Sequence, residues 1–351
     1  MSALPVEPRT RFQLPPELSA GEPPEGRGLA RDGVRLLVAT PRQVRHARFG
    51  DITHYLEPGD LLVINTSGTL PAAIDAVRES GAFVVVHFST RLATDSWVVE
   101  LRETDSKDDG PVRDAAPGER LRLVGGATLT LAAAFPDADA GRGSRLWRAH
   151  LDREVGAHLT VHGRPIRYGY VSQRWPLDAY QTVFATHPGS AEMPSAGRPF
   201  TPEALTRLVA GGVTIAPVLL HTGVSSQEAH EPPYAEWYRV PEHTARLVEL
   251  TRAAGGRVVA VGTTVVRALE TVAAADGTVA PGEGWTDLVL GPDRPVRVVS
   301  GLLTGLHAPG ASHLHLLEAV TGPELVQRVY DAALRRRYRW HEFGDVCLLL
   351  P

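Results

Sequence analysis

Turn residues divide the chain into two kinds of sequence, and this division constrains the fold more than any other feature. Between about residues 70 and 156, short apolar segments such as Trp97–Leu101 and Ala127–Leu131 alternate with turn clusters, among them Pro117-Gly118 and Gly125-Gly126. Many short strands at this spacing are typical of a small antiparallel barrel or sandwich. The sequence therefore predicts a β-rich domain at residues 70–156.

The sequence on both sides of this segment alternates apolar runs with helical patterns. Leu61–Asn65 is a continuous apolar run after a Pro-Gly turn, which predicts a buried strand. Strands that alternate with helices predict a mostly parallel sheet. The fold class is therefore α/β, with a discontinuous domain at residues 1–69 and 157–351. Beyond residue 177, the predicted elements are helix Thr201–Ala210, strand Val213–His221, helix Pro241–Ala254, strand Arg257–Gly262, helix Thr264–Ala275 and strands Thr286–Leu290 and Val296–Val299.

The charge and cysteine content exclude several classes of protein. The formal net charge is −4, and a large phosphate-binding surface is not expected without a basic excess. The single cysteine, Cys347, excludes a disulfide framework and a multi-cysteine metal site. No apolar run approaches the ~20 residues of a spanning helix, and the N-terminal residues lack the apolar core of a signal peptide. We expect a soluble, cytoplasmic protein; no feature of the sequence defines its oligomeric state.

Polar residues follow predicted strands at three places, and α/β proteins bind ligands at such strand ends. Gly262–Thr264 opens a helix whose unpaired N–H groups suit a ligand, although Thr264 fits the role of a helix cap as well. His221 ends an apolar strand and suits proton transfer, ligand binding or a structural hydrogen bond. Thr304 and His307 lie in a glycine-bounded loop that is either a binding loop or a plain connection.

The segment Tyr338–Asp345 combines aromatic residues with acids. It suits a cage for a cation, a stacking surface for a base, or an aromatic cluster at a strand edge. His313 and His315 are two residues apart on a predicted helix, so they point to different faces and are poor partners for one metal ion.

Taken in order, these segments resemble the S-adenosylmethionine:tRNA ribosyltransferase-isomerase family of queuosine biosynthesis. The resemblance runs nearly from end to end of the chain. It implies an α/β barrel-like domain with an inserted small antiparallel β-barrel, in agreement with the two kinds of sequence. The motifs that carry it are Pro58–Val63, Tyr180–Phe184, Pro194–Gly197, Leu220–Gly223, Gly256–Thr264, Val266–Glu270, Gly301–Thr304 with His307, and Phe343–Asp345.

The resemblance also implies a reaction. S-adenosylmethionine (SAM) is then a co-substrate that donates its ribosyl part to the aminomethyl group of a deazaguanine base in tRNA. Adenine and methionine are released, and no metal is needed. A sulfonium acidifies the neighbouring C5′–H, so the reaction requires a base whose pKa lies near the working pH, and a proton donor for the departing adenine.

The candidate site residues come from the segments that match the family. We expect SAM to bind between the two domains. The proton-transfer candidates are His221 and His307, followed by Asp345 and Glu236. The expected SAM-binding residues are Gly262, Thr263, Thr264, Arg267, Thr304 and Phe343.

The chain departs from the family pattern in segments that a second substrate would contact. Both arginines of Asn-Asn-Thr-Arg-Val-Ile-Pro-Ala-Arg are replaced, by Gly68 and Ala73, and arginine is the residue expected on phosphates. The histidine of Thr-Ala-Gly-Leu-His-Phe is Pro199, and Phe-Phe-Ser-Tyr-Gly-Asp reads Trp340-His-Glu-Phe-Gly-Asp345. These losses, with the net charge of −4, predict weak or absent tRNA binding at physiological salt.

Two alternative hypotheses follow from these departures. One is a related enzyme that binds SAM but acts on a small acceptor other than tRNA, or cleaves the donor itself. The other is a binding protein without catalytic activity, and the polar residues retained at three loop ends argue against it.

Overall fold

The computed structural model describes residues 7–104, 110–140, 143–224, 234–291 and 294–351. The strands in these residues are β1 Arg35–Ala39, β2 Val44–Arg48, β3 Leu61–Asn65, β4 Ser67–Thr69, β5 Ala73–Arg78, β6 Phe83–Ala93, β7 Ser96–Glu103, β8 Arg120–Leu123, β9 Thr128–Phe135, β10 Leu146–Leu151, β11 His187–Ser190, β12 Thr214–Leu220, β13 Glu236–Val240, β14 Val258–Val261, β15 Gly282–Thr286, β16 Gly301–Gly305 and β17 Val346–Leu349. The helices are α1 Val155–His162, α2 Pro202–Ala210, α3 Glu242–Ala253, α4 Thr263–Val272, α5 His313–Thr321 and α6 Pro323–Arg335.

Strands β5 to β10 close into an antiparallel barrel in the order β10-β7-β6-β5-β8-β9. Alternation of buried and exposed residues is clearest in β8, where Leu121 and Leu123 belong to the core of the barrel, whereas Arg120 and Arg122 are exposed. The predicted β-barrel is therefore confirmed, and the barrel replaces the sandwich alternative. Its strands fall within residues 70–156, although the limits of the two domains stay a prediction.

The rest of the chain forms a nine-stranded sheet in the order β15-β13-β12-β3-β14-β16-β17-β1-β2, so the predicted α/β class is confirmed. The four central strands β12, β3, β14 and β16 are mutually parallel. In the described residues, however, four neighbouring pairs are parallel and four are antiparallel. The prediction of a mostly parallel sheet is wrong at the edges, where β13, β15 and β2 join antiparallel to their neighbours.

Both faces of the sheet are covered. In β3, Leu61 and Val63 contribute to a core that includes apolar residues of α3 to α6, whereas Leu62 and Ile64 contribute to a second core that includes Leu208 of α2. A central strand that is buried on both faces is apolar throughout, which is why Leu61–Asn65 has no alternation in its sequence.

The predicted strand Val296–Val299 does not form. The backbone N–H groups of Arg297, Val298 and Val299 donate instead to the carboxylate of Glu270, at 2.8, 2.9 and 3.1 Å. Glu270 is a buried residue of α4, so its carboxylate takes the place of a neighbouring strand. Among the described residues, no helix has both the length and the apolar character needed to cross a membrane.

Candidate functional site

The carboxyl ends of β12, β3, β14 and β16 lie side by side, because these strands are neighbours and parallel. Beyond them lies a cavity of about 500 Å³, a volume within the range of small-molecule sites. Seven of the ten predicted site residues line it: Glu236, Gly262, Thr263, Thr264, Arg267, Thr304 and His307. No described residue of the barrel strands lines it, but Ile166 and Val224, which pack into the barrel core, do so together with Tyr168 and Tyr170. The expected position of SAM between the two domains stays a prediction.

The start of α4 forms one part of the cavity wall. Gly262 has φ +92°, a left-handed conformation that favours glycine, and no side chain caps the helix there. Thr264 is therefore not the helix cap. Its hydroxyl accepts a hydrogen bond from Asn65 Nδ2 at 3.3 Å, and Asn65 Nδ2 also donates to Leu220 O at 2.8 Å. Asn65 thus joins the ends of β3 and β12 to a helix start that lines the cavity.

Arg267 and Glu236 form an ion pair in the wall. Glu236 Oε1 also accepts the backbone N–H of Gly223 at 2.9 Å, and Arg267 Nη2 donates to Thr286 O at 3.0 Å. The side chain of Glu236 is only 14% exposed and that of Arg267 only 10%. Both charges are therefore balanced within the protein, and Glu236 is held by fixed partners.

His307 lies in the loop after β16. Its Nε2 is 3.0 Å from the Thr304 hydroxyl, and its ring stacks on that of His313 with centroids 4.5 Å apart. Burial, with the nearby His313 and His341, holds the pKa of His307 well below its usual value. The imidazole is therefore neutral at pH 7 and able to accept a proton, but it is not an imidazolium acid. Within the described ranges, no three His, Cys, Asp or Glu side chains are grouped to hold a metal ion. We call Gly262–Thr264, Thr304 and His307 the strand-end wall.

Another part of the cavity is lined by a stack of rings. Tyr170 lies between Tyr168, with centroids 6.1 Å apart, and His341, at 4.3 Å. The Tyr168 hydroxyl donates to Glu192 and the Tyr170 hydroxyl to Glu342, and all five residues line the cavity. We call these five residues the tyrosine wall.

Glu342 is the titratable group of the tyrosine wall whose pKa lies nearest to neutrality. Burial, together with the neighbouring carboxylate of Glu192, raises the pKa of Glu342 to about 7, although the bond from Tyr170 acts in the opposite direction. Glu342 was not among the predicted site residues. The aromatic and acidic composition of Tyr338–Asp345 was the only signal for it in the sequence.

His221 does not line the cavity, although the next two residues, Thr222 and Gly223, do. Its Nδ1 lies 2.8 Å from the Ser67 hydroxyl, and its ring stacks on Trp237 with centroids 5.8 Å apart. Burial, with a smaller effect of His187, lowers the pKa of His221 to about 4. These contacts correspond to the structural alternative for this histidine.

Asp345 and Phe343 also lie outside the cavity lining. The Asp345 carboxylate accepts the backbone N–H groups of Arg35 and Arg339, at 2.8 and 2.7 Å, and pairs with the Arg35 guanidinium at 2.9 Å. It thereby fastens the loop before β17 to the start of β1. The centroid of the Phe343 ring lies 5.0 Å from that of Tyr180, a residue of the cavity lining. Phe343 therefore packs against a lining residue without lining the cavity itself.

Comparison with known proteins agrees with this architecture. The queuosine biosynthesis protein family matches residues 9–349 of the chain. A relative named S-adenosylmethionine:tRNA ribosyltransferase-isomerase from Symbiobacterium thermophilum is 38% identical over 97% of this chain and 98% of its own. The proteins of that name from Thermus thermophilus and Thermotoga maritima are 37% and 35% identical, with the same coverage.

A solved structure gives the same result. The crystal structure of S-adenosylmethionine tRNA ribosyltransferase from Thermotoga maritima aligns with a TM-score of 0.52 at 30% identity, over 97% of this chain and 99% of that one. The alignment includes both the barrel and the nine-stranded sheet, since it spans nearly the whole of each chain. The chain therefore belongs to the queuosine biosynthesis protein family.

Proposed function

We propose that the chain is an S-adenosylmethionine:tRNA ribosyltransferase-isomerase. It transfers the ribosyl part of SAM to a modified base of tRNA and releases adenine and methionine. The observation that carries the proposal is the cavity of about 500 Å³, which brings together seven residues expected from the family's motifs. These residues come from segments as far apart as Glu236 and His307, and the names of the relatives support the same activity.

The strand-end wall suits the donor. The methionine part of SAM carries a carboxylate, and the uncapped start of α4 offers N–H groups and the positive end of the helix dipole. The hydroxyls of Thr263 and Thr264 lie at the same place and suit the sugar or the carboxylate. Arg267 is balanced by Glu236, so we assign the anion to the helix start and not to this guanidinium.

The two walls together supply groups for proton transfer. His307 is neutral because its pKa is low, so its free ring nitrogen accepts the proton of the acidified C5′–H, although as a weaker base than a group whose pKa lies near the working pH. Glu342 has a pKa of about 7 and is partly protonated at neutral pH, so it suits donation of a proton to the departing adenine. Glu342, which was not among the predicted proton-transfer residues, thus takes the role of the proton donor in this proposal.

The acceptor in this proposal is tRNA. The relatives' names favour tRNA over the small acceptor of the alternative hypothesis. The names of the relatives also argue against the weak tRNA binding that the net charge of −4 predicts. A protein with a negative total charge still binds a polyanion where cationic side chains are concentrated locally.

Release of adenine from SAM tests the proposal. The protein is mixed with SAM alone, with tRNA that carries the aminomethyl deazaguanine, and with the same tRNA without that base. We expect adenine only in the second mixture, together with a tRNA of increased mass. Equal release in all three would favour cleavage of the donor, and no release in any would contradict the enzymatic proposal.

A further inference from the structure

A second, smaller cleft lies beside the catalytic cavity. Its volume is about 180 Å³, and it is lined by four arginines, Arg102, Arg164, Arg167 and Arg174, with the carboxylates of Asp75 and Glu103. Arg102 is paired with the buried Glu100 and Arg164 with Asp75. Arg167 and Arg174 then face the carboxylate of Glu103, which leaves the cleft with a cationic excess in a protein of net charge −4. Nothing in the chemistry of the SAM cavity uses these arginines.

We propose that this cleft binds a backbone phosphate of the tRNA whose modified base enters the catalytic cavity. The inference rests on the proposed function, because it names the surface that holds the acceptor. Arginine is suited to the role, since its planar guanidinium matches two phosphate oxygens and stays charged at every physiological pH.

The cleft is separated from the catalytic cavity by one segment of chain. Arg164, Pro165 and Arg167 line the cleft, whereas Ile166 and Tyr168 of the same segment line the cavity. A nucleotide bound across this segment therefore places its base against the tyrosine wall and its phosphate among the arginines. From Pro165 to Tyr168, successive residues line the cleft and the cavity in turn, and Arg164 joins Pro165 on the side of the cleft.

Two of the arginines have guanidinium groups available to a ligand. Arg174 is exposed and makes no hydrogen bond or ion pair within the described residues. Within the described residues, Arg167 forms hydrogen bonds only through Nη1, which donates to Val171 O and Ser172 O at 3.0 and 3.2 Å. A bond from one nitrogen orients the group and leaves other N–H donors for a phosphate.

Arg164 occupies a position that compensates for a replaced arginine. The backbones of Ala73 and Arg164 exchange two hydrogen bonds, each of 2.9 Å, as an antiparallel bridge. Paired residues of an antiparallel bridge project to the same side, and both line the cleft. The cation that Ala73 does not provide is thus supplied by Arg164 on the facing segment. Arg164 forms an ion pair with Asp75.

The test measures tRNA affinity as a function of salt concentration. We compare the wild-type protein with Arg174→Ala and the double variant Arg164→Ala/Arg174→Ala. The matched control is Arg207→Ala, which removes an exposed arginine on α2, away from the cleft. Arg174 is exposed and has no hydrogen bond or ion pair among the described residues to lose, so its variant should keep the thermal unfolding temperature of the wild type.

We expect Arg174→Ala to weaken tRNA binding about tenfold at low salt and to reduce the slope of log K against log salt by about 1. The double variant should lose more, whereas Arg207→Ala should behave as wild type. SAM affinity, measured by calorimetry, should be unchanged in all three, because the cleft does not contact the strand-end wall.

Two results would overturn the proposal, and they differ in what else they affect. If the cleft variants bind tRNA with the affinity and salt slope of Arg207→Ala, the cleft does not hold phosphate, while the proposed function stands. If the wild-type protein binds no tRNA even at low salt, both the cleft proposal and the tRNA acceptor fail.

Discussion

The two walls of the catalytic cavity differ in how the fold produces them. The strand-end wall is built at the carboxyl ends of β14 and β16, where parallel strands in any α/β sheet bring their following loops together. The tyrosine wall is built by irregular segments around residues 168–170, 192 and 341–342, which no regular element positions. The first wall depends on topology and the second on side-chain packing.

The difference separates two roles. Apart from His307, the strand-end wall offers a helix start and hydroxyl groups, which bind a ligand without changing charge. The tyrosine wall offers a carboxyl group, Glu342, with a pKa of about 7, which changes charge in the range where the enzyme works. We therefore expect substitutions in the tyrosine wall to act mainly on turnover, and those at the start of α4 to act mainly on SAM affinity.

The largest effect is expected from Glu342→Gln. Loss of a proton donor typically lowers turnover by about 10² to 10⁴, so adenine release should fall in this range while SAM still binds. In the wild type, release should decrease as the pH rises through about 7, because the protonated carboxyl group is the donor. The variant should lose this dependence, which a pH–rate profile measures.

Tyr170→Phe is the control for that change. The bond from the Tyr170 hydroxyl lowers the pKa of Glu342, so its removal should move the decrease in rate to higher pH without abolishing release.

The pH dependence of stability gives a second readout of the Glu342 pKa. The folded state holds the Glu342 proton more tightly than the unfolded chain, so wild-type stability falls between about pH 4.5 and 7, and Glu342→Gln should gain relative stability over that range. A pH–rate profile unchanged in both variants would remove Glu342 from the chemistry.

A smaller effect on turnover is expected from His307→Ala. The low pKa of the buried imidazole makes it a weak base, so we expect a loss of about 10² in adenine release, at the lower end for such groups. SAM affinity should change little, because the loop after β16 is also fixed by two hydrogen bonds of the His307 backbone: its N–H donates to Tyr330 Oη, and its carbonyl oxygen accepts from Trp340 Nε1. Single-turnover adenine release and calorimetry separate the two quantities. Normal release would make this histidine structural.

The strand-end wall and the tyrosine wall also differ in how much of each could be predicted from the sequence. The barrel and Gly262–Thr264 could be predicted because local turn signals and strand ends fix them. Glu342 could not be, since its role depends on Tyr170 and Glu192, which are distant in the chain and meet it only after folding. Asp345 was selected from a motif, but its carboxylate is occupied by the nearby Arg339 and by Arg35. The contact with Arg35 joins residues 310 positions apart, and no local pattern reveals it.

Thr264→Val tests the binding role of the strand-end wall. The change keeps the shape of the side chain and removes the hydroxyl that lines the cavity and accepts from Asn65. We expect SAM to bind about tenfold more weakly, which corresponds to the loss of one hydrogen bond, while release at saturating SAM stays close to wild type. Thr264→Ser retains the hydroxyl and should retain affinity. A variant with unchanged SAM affinity would place the donor elsewhere in the cavity.

The smallest effect on chemistry is expected from His221→Ala. Its ring lies against Ser67 and Trp237 and outside the cavity lining, and its pKa of about 4 keeps it neutral at the working pH. Removal of this packed ring should lower the unfolding temperature, in keeping with a loss of about 1–3 kcal/mol for a packed side chain, yet adenine release should stay within about threefold of wild type. His307→Ala is measured in parallel, so that the loss of a histidine that lines the cavity can be compared with the loss of one that does not. A loss as large as that of His307→Ala would show that the end of β12 takes part in the reaction, and the distinction between a histidine in the wall and one behind it would then be wrong.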